Sequence, residues 1–106
     1  MKETVQVQRI EDRAAHIARD QGRMMRSLIE LRKKHRLSQA TVAERMGVSQ
    51  PTVAGLERYD ANPTLSTVLR YAVAVEARLS TEVFDDCADA WEPDVVGVGS
   101  RSASDG

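Results

Sequence analysis

Between Leu37 and Arg58 the chain reads LSQATVAERMGVSQPTVAGLER, and no other stretch constrains the fold as tightly. Ser38 can accept a hydrogen bond from a backbone N–H left open at a helix start, so the spacing predicts a helix over Gln39–Met46. Gly47 follows, the residue best suited to the left-handed conformation in which helices end. Val48 fills the turn. Ser49 caps a second helix, with Gln50 and Pro51 in its first turn, where a proline's missing N–H does no harm. Val42, Ala43 and Met46 of the first helix point inward, as do Val53 and Leu56 of the second. The result is two short helices and a tight turn, with the outer face of the second free to lie on something.

Composition says what the rest must be. The chain has 106 residues with 42% apolar and 4% aromatic content, so it holds one small domain with an aliphatic, alanine-rich core. Such a core favours packed helices over a sheet. The one cysteine, Cys87, excludes an internal disulfide and a multi-cysteine metal site. No signal-peptide pattern and no apolar run near 18 residues are present, so the chain reads as cytoplasmic, with no membrane partner. The net charge of −1 hides an asymmetry. From Arg9 to Arg58 there are eleven Lys/Arg against six Asp/Glu, whereas Glu76–Asp94 carries one Arg against seven acids. A basic body with an acidic end fits two different partners, or an ordinary helix surface with a solubilising tail.

In chain order, residues 1–8 read as a mobile end. Ile10, Ala14, Ile17, Gln21, Met24, Leu28 and Leu31 then recur at steps of four and three, which predicts a helix over Arg9–His35. Gly22 is its weak point and a possible break. The half carrying Leu28, Ile29 and Leu31 belongs to the core, while residues 9–27 form an extension expected to project toward a second copy or another protein. Arg32 turns partly toward the core, and Lys33, Lys34 and Arg36 suit either the negative end of the helix dipole or phosphates. Asn62-Pro63 marks a loop. Thr64 caps a fourth helix over Leu65–Val75, with Leu65, Val68, Leu69, Ala72 and Val75 as its inner face. At Arg78–Phe84 the period changes to two, with Leu79, Thr81 and Val83 on one face, so a short strand is expected there. A lone strand must pair with another chain, which makes residues 77–86 a dimerisation or partner-binding element. Residues 87–106 read as an acidic, disordered tail, with Cys87 and Trp91 as tail or partner-contact residues.

Two capped helices crossing with this Ala, Gly, Val, Leu pattern form a helix-turn-helix. The sequence here resembles the Cro/repressor-like, or Xre-type, domain over about Leu28–Val75. The matching features are Leu-x-x-Leu-Arg, then Leu-Ser-Gln-x-x-Val-Ala, Met-Gly-Val-Ser-Gln and Val-x-x-Leu-Glu-Arg. The resemblance implies an all-α bundle, extended here by the long N-terminal helix and the short C-terminal strand, paired across a dimer. It also implies site residues. Gln39 would hold a backbone phosphate. Ser49, Gln50, Pro51, Thr52 and Gly55 would form the outer face of a recognition helix in the major groove. Gln50 would read a base, Thr52 a thymine methyl or a phosphate, and Arg58 a phosphate. Ala54 and Gly55 depart from the larger polar residues of many relatives. Gly55 either weakens the helix or allows closer approach to the duplex. The resemblance further implies a buried ion pair between Arg32 and Glu57.

The long leading helix, the Leu-Ser-Thr-Val-Leu-Arg-Tyr run and the acidic strand are similar to those of HigA-type antitoxins, although Glu76-Ala77 stands where those carry Gly-Gly. That similarity implies a homodimer on a palindromic operator and a basic toxin of the RelE/HigB type as partner. A stand-alone Xre-type regulator and an interaction adaptor with a degenerate motif are the alternatives. No catalytic residue, metal or cofactor is expected. His16 and His35 lie far apart in the sequence, and the acids of residues 76–94 lack the spacing of a calcium loop.

Overall fold

The computed structural model describes residues 2–87. They form four helices in order: α1 Lys2–Lys34, α2 Gln39–Met46, α3 Gln50–Leu56 and α4 Leu65–Ala74. α2 packs on α3 and on α4, and α4 packs on the C-terminal part of α1. Val42, Val53, Val68, Tyr71 and Val75 fill the centre with no measurable exposure.

Helix ends follow from local chemistry. Ser38, Ser49 and Thr64 take extended backbone angles, and each side chain accepts from an N–H three residues on. At the end of α2, Gly47 sits at φ 73°, while its N–H donates to Glu44 and that of Val48 to Ala43. This paired return closes the orphan carbonyls of the last turn. The same return ends α1, with Arg36 at φ 59°, and α4, with Glu76 at φ 67°. The turn after α4 therefore keeps its left-handed residue without a glycine. Two arginines missed in the sequence cap across helices. Arg70 of α4 donates to the Met46 carbonyl at the end of α2, and Arg45 of α2 donates to the Ala74 carbonyl at the end of α4.

Four expectations are corrected. α1 begins at Lys2, so residues 2–8 are helical rather than a mobile end, and Gly22 does not break the helix. No proline interrupts this run, and one glycine costs only about 1 kcal/mol. The core-facing side of α1 is Met25 and Leu28, with Met24 and Ile29 beside them, rather than a stripe through Met24 and Leu31. A strict seven-residue repeat drifts by roughly 20° per heptad on a straight helix, so the inner face moves one position along. On α4, Val68, Ala72 and Val75 are buried as expected, but Leu65 and Leu69 are 64% and 44% exposed, and Tyr71 and Ala74 are buried in their place. This helix is apolar nearly all round, so periodicity alone does not choose a face.

Last, Leu79–Phe84 is not a strand. Among the described residues it forms no ladder, only an isolated bridge position at Phe84, so strand pairing across a dimer has no support. A single extended segment lacks a neighbour for its backbone groups. Residues 77–87 instead run back along the molecule, where Ala77 and Leu79 pack on the core. Further on, Arg13 of α1 donates to both the side chain and the carbonyl of Asp86. Trp91 and most of the predicted tail lie outside the described residues.

Candidate nucleic-acid interface

The site is built outward from one buried carboxylate. Glu57 caps α3, and its side chain is 8% exposed. Arg32 grips it with two bonds, Nε to Oε2 at 2.6 Å and Nη2 to Oε1 at 3.0 Å. The Tyr71 hydroxyl donates to Oε2 at 2.6 Å, and Gln39 Nε2 donates to Oε1 at 2.9 Å. Four donors thus meet the four lone-pair positions of one carboxylate. The third guanidinium nitrogen of Arg32 reaches the Leu37 carbonyl at 2.9 Å. One residue of α1 therefore ties the start of α2 and the end of α3 together.

The electrostatics follow from the geometry. Burial alone would push the Glu57 pKa up, but the hydrogen bonds from Arg32, Tyr71 and Gln39 outweigh it and hold the group below the ordinary carboxylate value. The bond to Glu57 raises Arg32 against the opposing effect of its own burial. Burial, then the neighbouring carboxylate, pushes the Tyr71 phenol well above the usual tyrosine range. Glu57 is an anion over the neutral range and can only accept.

That fact orients the outer face. Because an ionised carboxylate accepts only, Gln39 must turn its NH2 toward Glu57, which points its oxygen outward. Gln50 then donates Nε2 to Gln39 Oε1 at 2.6 Å. One N–H and the oxygen of Gln50 make no hydrogen bond among the described residues, which leaves a donor beside an acceptor on an exposed side chain. This pairing matches the N7 and N6 edge of adenine in the major groove. The second N–H of Gln39 makes no hydrogen bond among the described residues. The main work of Gln39 in this structure is to connect Glu57 to Gln50.

The other predicted residues are placed as follows. Ser49, Gln50, Pro51, Thr52 and Gly55 are all exposed on or just before α3, and Ala54 is half-buried. The hydroxyls of Ser49 and Thr52 lie 2.8 Å apart and share the capping of α3. Arg58 is held by a two-pronged pair with Asp60, at 3.0 Å for both bonds, so its charge is partly neutralised in the free protein. Lys33, Lys34 and Arg36 are exposed. Sequence reasoning missed Tyr71 as a member of the network. The available signal was its place three residues after Val68 and four before Val75, which turns it inward, where a phenol must find a partner.

Gly55 faces open space, and a Cβ placed there meets nothing within 4 Å. Gly55→Ala is therefore expected to raise stability by about 0.5–1 kcal/mol, read as a higher urea midpoint. The same variant tests close approach to a duplex. Loss of DNA binding in a protein more stable than the wild type would assign Gly55 to the contact surface.

Two capped helices at a tight turn, with a polar exposed face on the second and a buried carboxylate behind it, define a helix-turn-helix protein. Residues 28–79 match the family model described as "Helix-turn-helix", and this segment is a helix-turn-helix domain. The chain is 53% identical over 62 residues to Antitoxin HigA1 of Mycobacterium tuberculosis, in both strain CDC 1551 / Oshkosh and strain ATCC 25618 / H37Rv. The match covers 58% of this chain and 42% of that protein, so the chain spans less than half the length of the curated relatives it matches. Among solved structures, it is similar to the restriction-modification controller protein C.AhdI from Aeromonas hydrophila, at 33% identity and a TM-score of 0.49, over 57% of this chain and 88% of that one.

Proposed function

We propose that this protein is a sequence-specific DNA-binding antitoxin that represses its own operon and neutralises a basic ribonuclease toxin of the RelE/HigB type. The observation that carries the DNA-reading part is the chain of contacts from Glu57 through Gln39 to Gln50, which presents one fixed donor–acceptor pair on the exposed face of α3. Such pre-orientation removes the rotamer freedom that a free glutamine would lose on meeting a base. The similarity to Antitoxin HigA1 supports the toxin-neutralising part.

In this reading two copies place two α3 helices in successive turns of the major groove of a palindrome, about 34 Å apart. Gln50 reads an adenine, Thr52 meets a thymine methyl or a phosphate, and Gln39 uses its remaining N–H on a phosphate. On binding, Arg58 exchanges Asp60 for a backbone phosphate. The protein acts in the cytoplasm and needs no cofactor. No helix among the described residues is long and apolar enough to cross a membrane.

Gln50→Ala is expected to cost roughly 1–3 kcal/mol on the cognate site and nearly nothing on random duplex. Fluorescence anisotropy on both sequences at one salt concentration measures this. An equal loss on both would show that Gln50 does not read sequence. Copurification with the product of a neighbouring toxin-like reading frame tests the second half of the reading, and failure of every such frame product to bind would reduce the protein to a plain regulator.

A further inference from the structure

Residues 7–20 of α1 are exposed, and their apolar side chains meet no part of the hydrophobic core among the described residues. Val7, Ile10 and Ile17 are 52%, 60% and 59% exposed. With Ala14 they fall at steps of three and four, the repeat of a two-helix seam. The seam stops where Met25 and Leu28 turn into the domain's own core.

We propose that this face of α1 seats the same face of a second copy, with the two helices antiparallel. The inference rests on the two-copy part of the functional reading and names its interface. Charge decides the direction. In an antiparallel pair the seam positions alternate across the axis, so Ala14 meets the partner's Ile17 and Ile10 meets the partner's Gln21. That register sets Arg13 against the partner's Asp20 on one flank, and symmetry gives the pair twice. A parallel pair sets Arg13 against Ala18 and Asp20 against Met25, with no charge pair at all. Arg13 spends Nε and Nη2 on Asp86, which leaves Nη1 for the partner helix. Asp20, which pairs with Arg23 and lies near His16 on its own helix, has further lone pairs to accept it.

The spacing agrees with the reading. The twofold axis of this register passes near residues 15 and 16, about 12 residues from Leu28. At 1.5 Å per residue this is about 18 Å, so the two domains lie about 36 Å apart along the helices. One turn of DNA separates half-site centres by roughly 34 Å.

The test uses the full chain and its concentration-dependent mass by sedimentation equilibrium. Arg13→Glu and Asp20→Arg each turn two attractions into two repulsions. Each variant alone is expected to weaken self-association about tenfold. An equimolar mixture of the two recovers wild-type association, because the mixed dimer contains both charge pairs with the signs reversed on one side. Loss of the Arg13–Asp86 contact is not repaired by mixing, so recovery isolates the helix–helix pair. Ile17→Asp is expected to abolish association and leave the melting temperature of the domain unmoved. Single variants that associate like the wild type, or a mixture that recovers nothing, overturn the antiparallel seam and leave the DNA reading standing. A wild-type protein that stays monomeric, as it would if another segment of the chain covered this face, overturns both the seam and the two-copy reading.

Discussion

Arg32→Ala is expected to destabilise the domain by about 3–5 kcal/mol. The loss comes less from the attraction removed than from what stays behind. The Glu57 side chain is 8% exposed and would keep its charge with only Tyr71 and Gln39 as donors. The Leu37 carbonyl would lose its Arg32 donor as well. Urea unfolding at neutral pH measures the effect, and an unchanged midpoint would mean that the pair does not hold α1 to α3. The deficit also has a pH signature. The folded Glu57 pKa is depressed, so its contribution is present above the ordinary carboxylate value of 4.5 and is lost as pH falls through the lower folded value. The gap between wild type and Arg32→Ala should therefore narrow as pH drops from 7 toward 3. A constant gap would place the stabilising role of Arg32 in its packing rather than in its charge.

Tyr71→Phe is expected to cost about 1.5–3 kcal/mol, the range for losing a hydrogen bond to a charged group. The ring fills the same space, so no cavity opens and the change reports on the hydroxyl alone. Tyr71 is fully buried, and its 2.6 Å bond to Glu57 is one of four that keep the carboxylate ionised. The phenol pKa is raised by burial and by Glu57, so its stabilisation is complete below the ordinary tyrosine value of 10.0 and is lost as pH rises beyond it. Wild type should thus lose stability above pH 10 more steeply than the phenylalanine variant, by urea unfolding across that range. Equal midpoints at neutral pH would contradict a donor role for the hydroxyl. Because Arg32 and Tyr71 share one acceptor, their double variant should fall short of the sum of the singles.

The parts of the structure legible in the sequence are those decided within a few residues. Ser38, Ser49 and Thr64 cap because a short hydroxyl side chain meets a backbone N–H three positions on. Gly47 ends α2 because its φ is positive. The parts that were not legible depend on distant partners. The spacing of Val68, Ala72 and Val75 puts them on one face of α4, but Leu65, Leu69 and Val73 make a second face just as apolar, and only packing selects between them. Arg45 and Arg70 look like surface cations until the two helix ends they cap come together. Gln39 reads as a free amide at a helix start, and nothing local says that Glu57 will orient it toward Gln50. The alternation at Leu79–Phe84 does describe an extended segment. A strand needs a neighbour as well as a pattern, and Ala77, Leu79 and the Arg13–Asp86 contact hold this segment instead.

Under the proposed function, the buried carboxylate of Glu57 sets Gln50 as the base reader on α3. Selection of duplexes by the wild-type protein from a randomised library tests it most directly, with Gln50→Ala run beside it. The expected result is an inverted repeat with half-site centres one helical turn apart, holding one adenine–thymine pair per half-site whose enrichment vanishes in the Gln50→Ala selection. Recovery of the same sequences by both proteins, or of no sequence above the starting library, would contradict it.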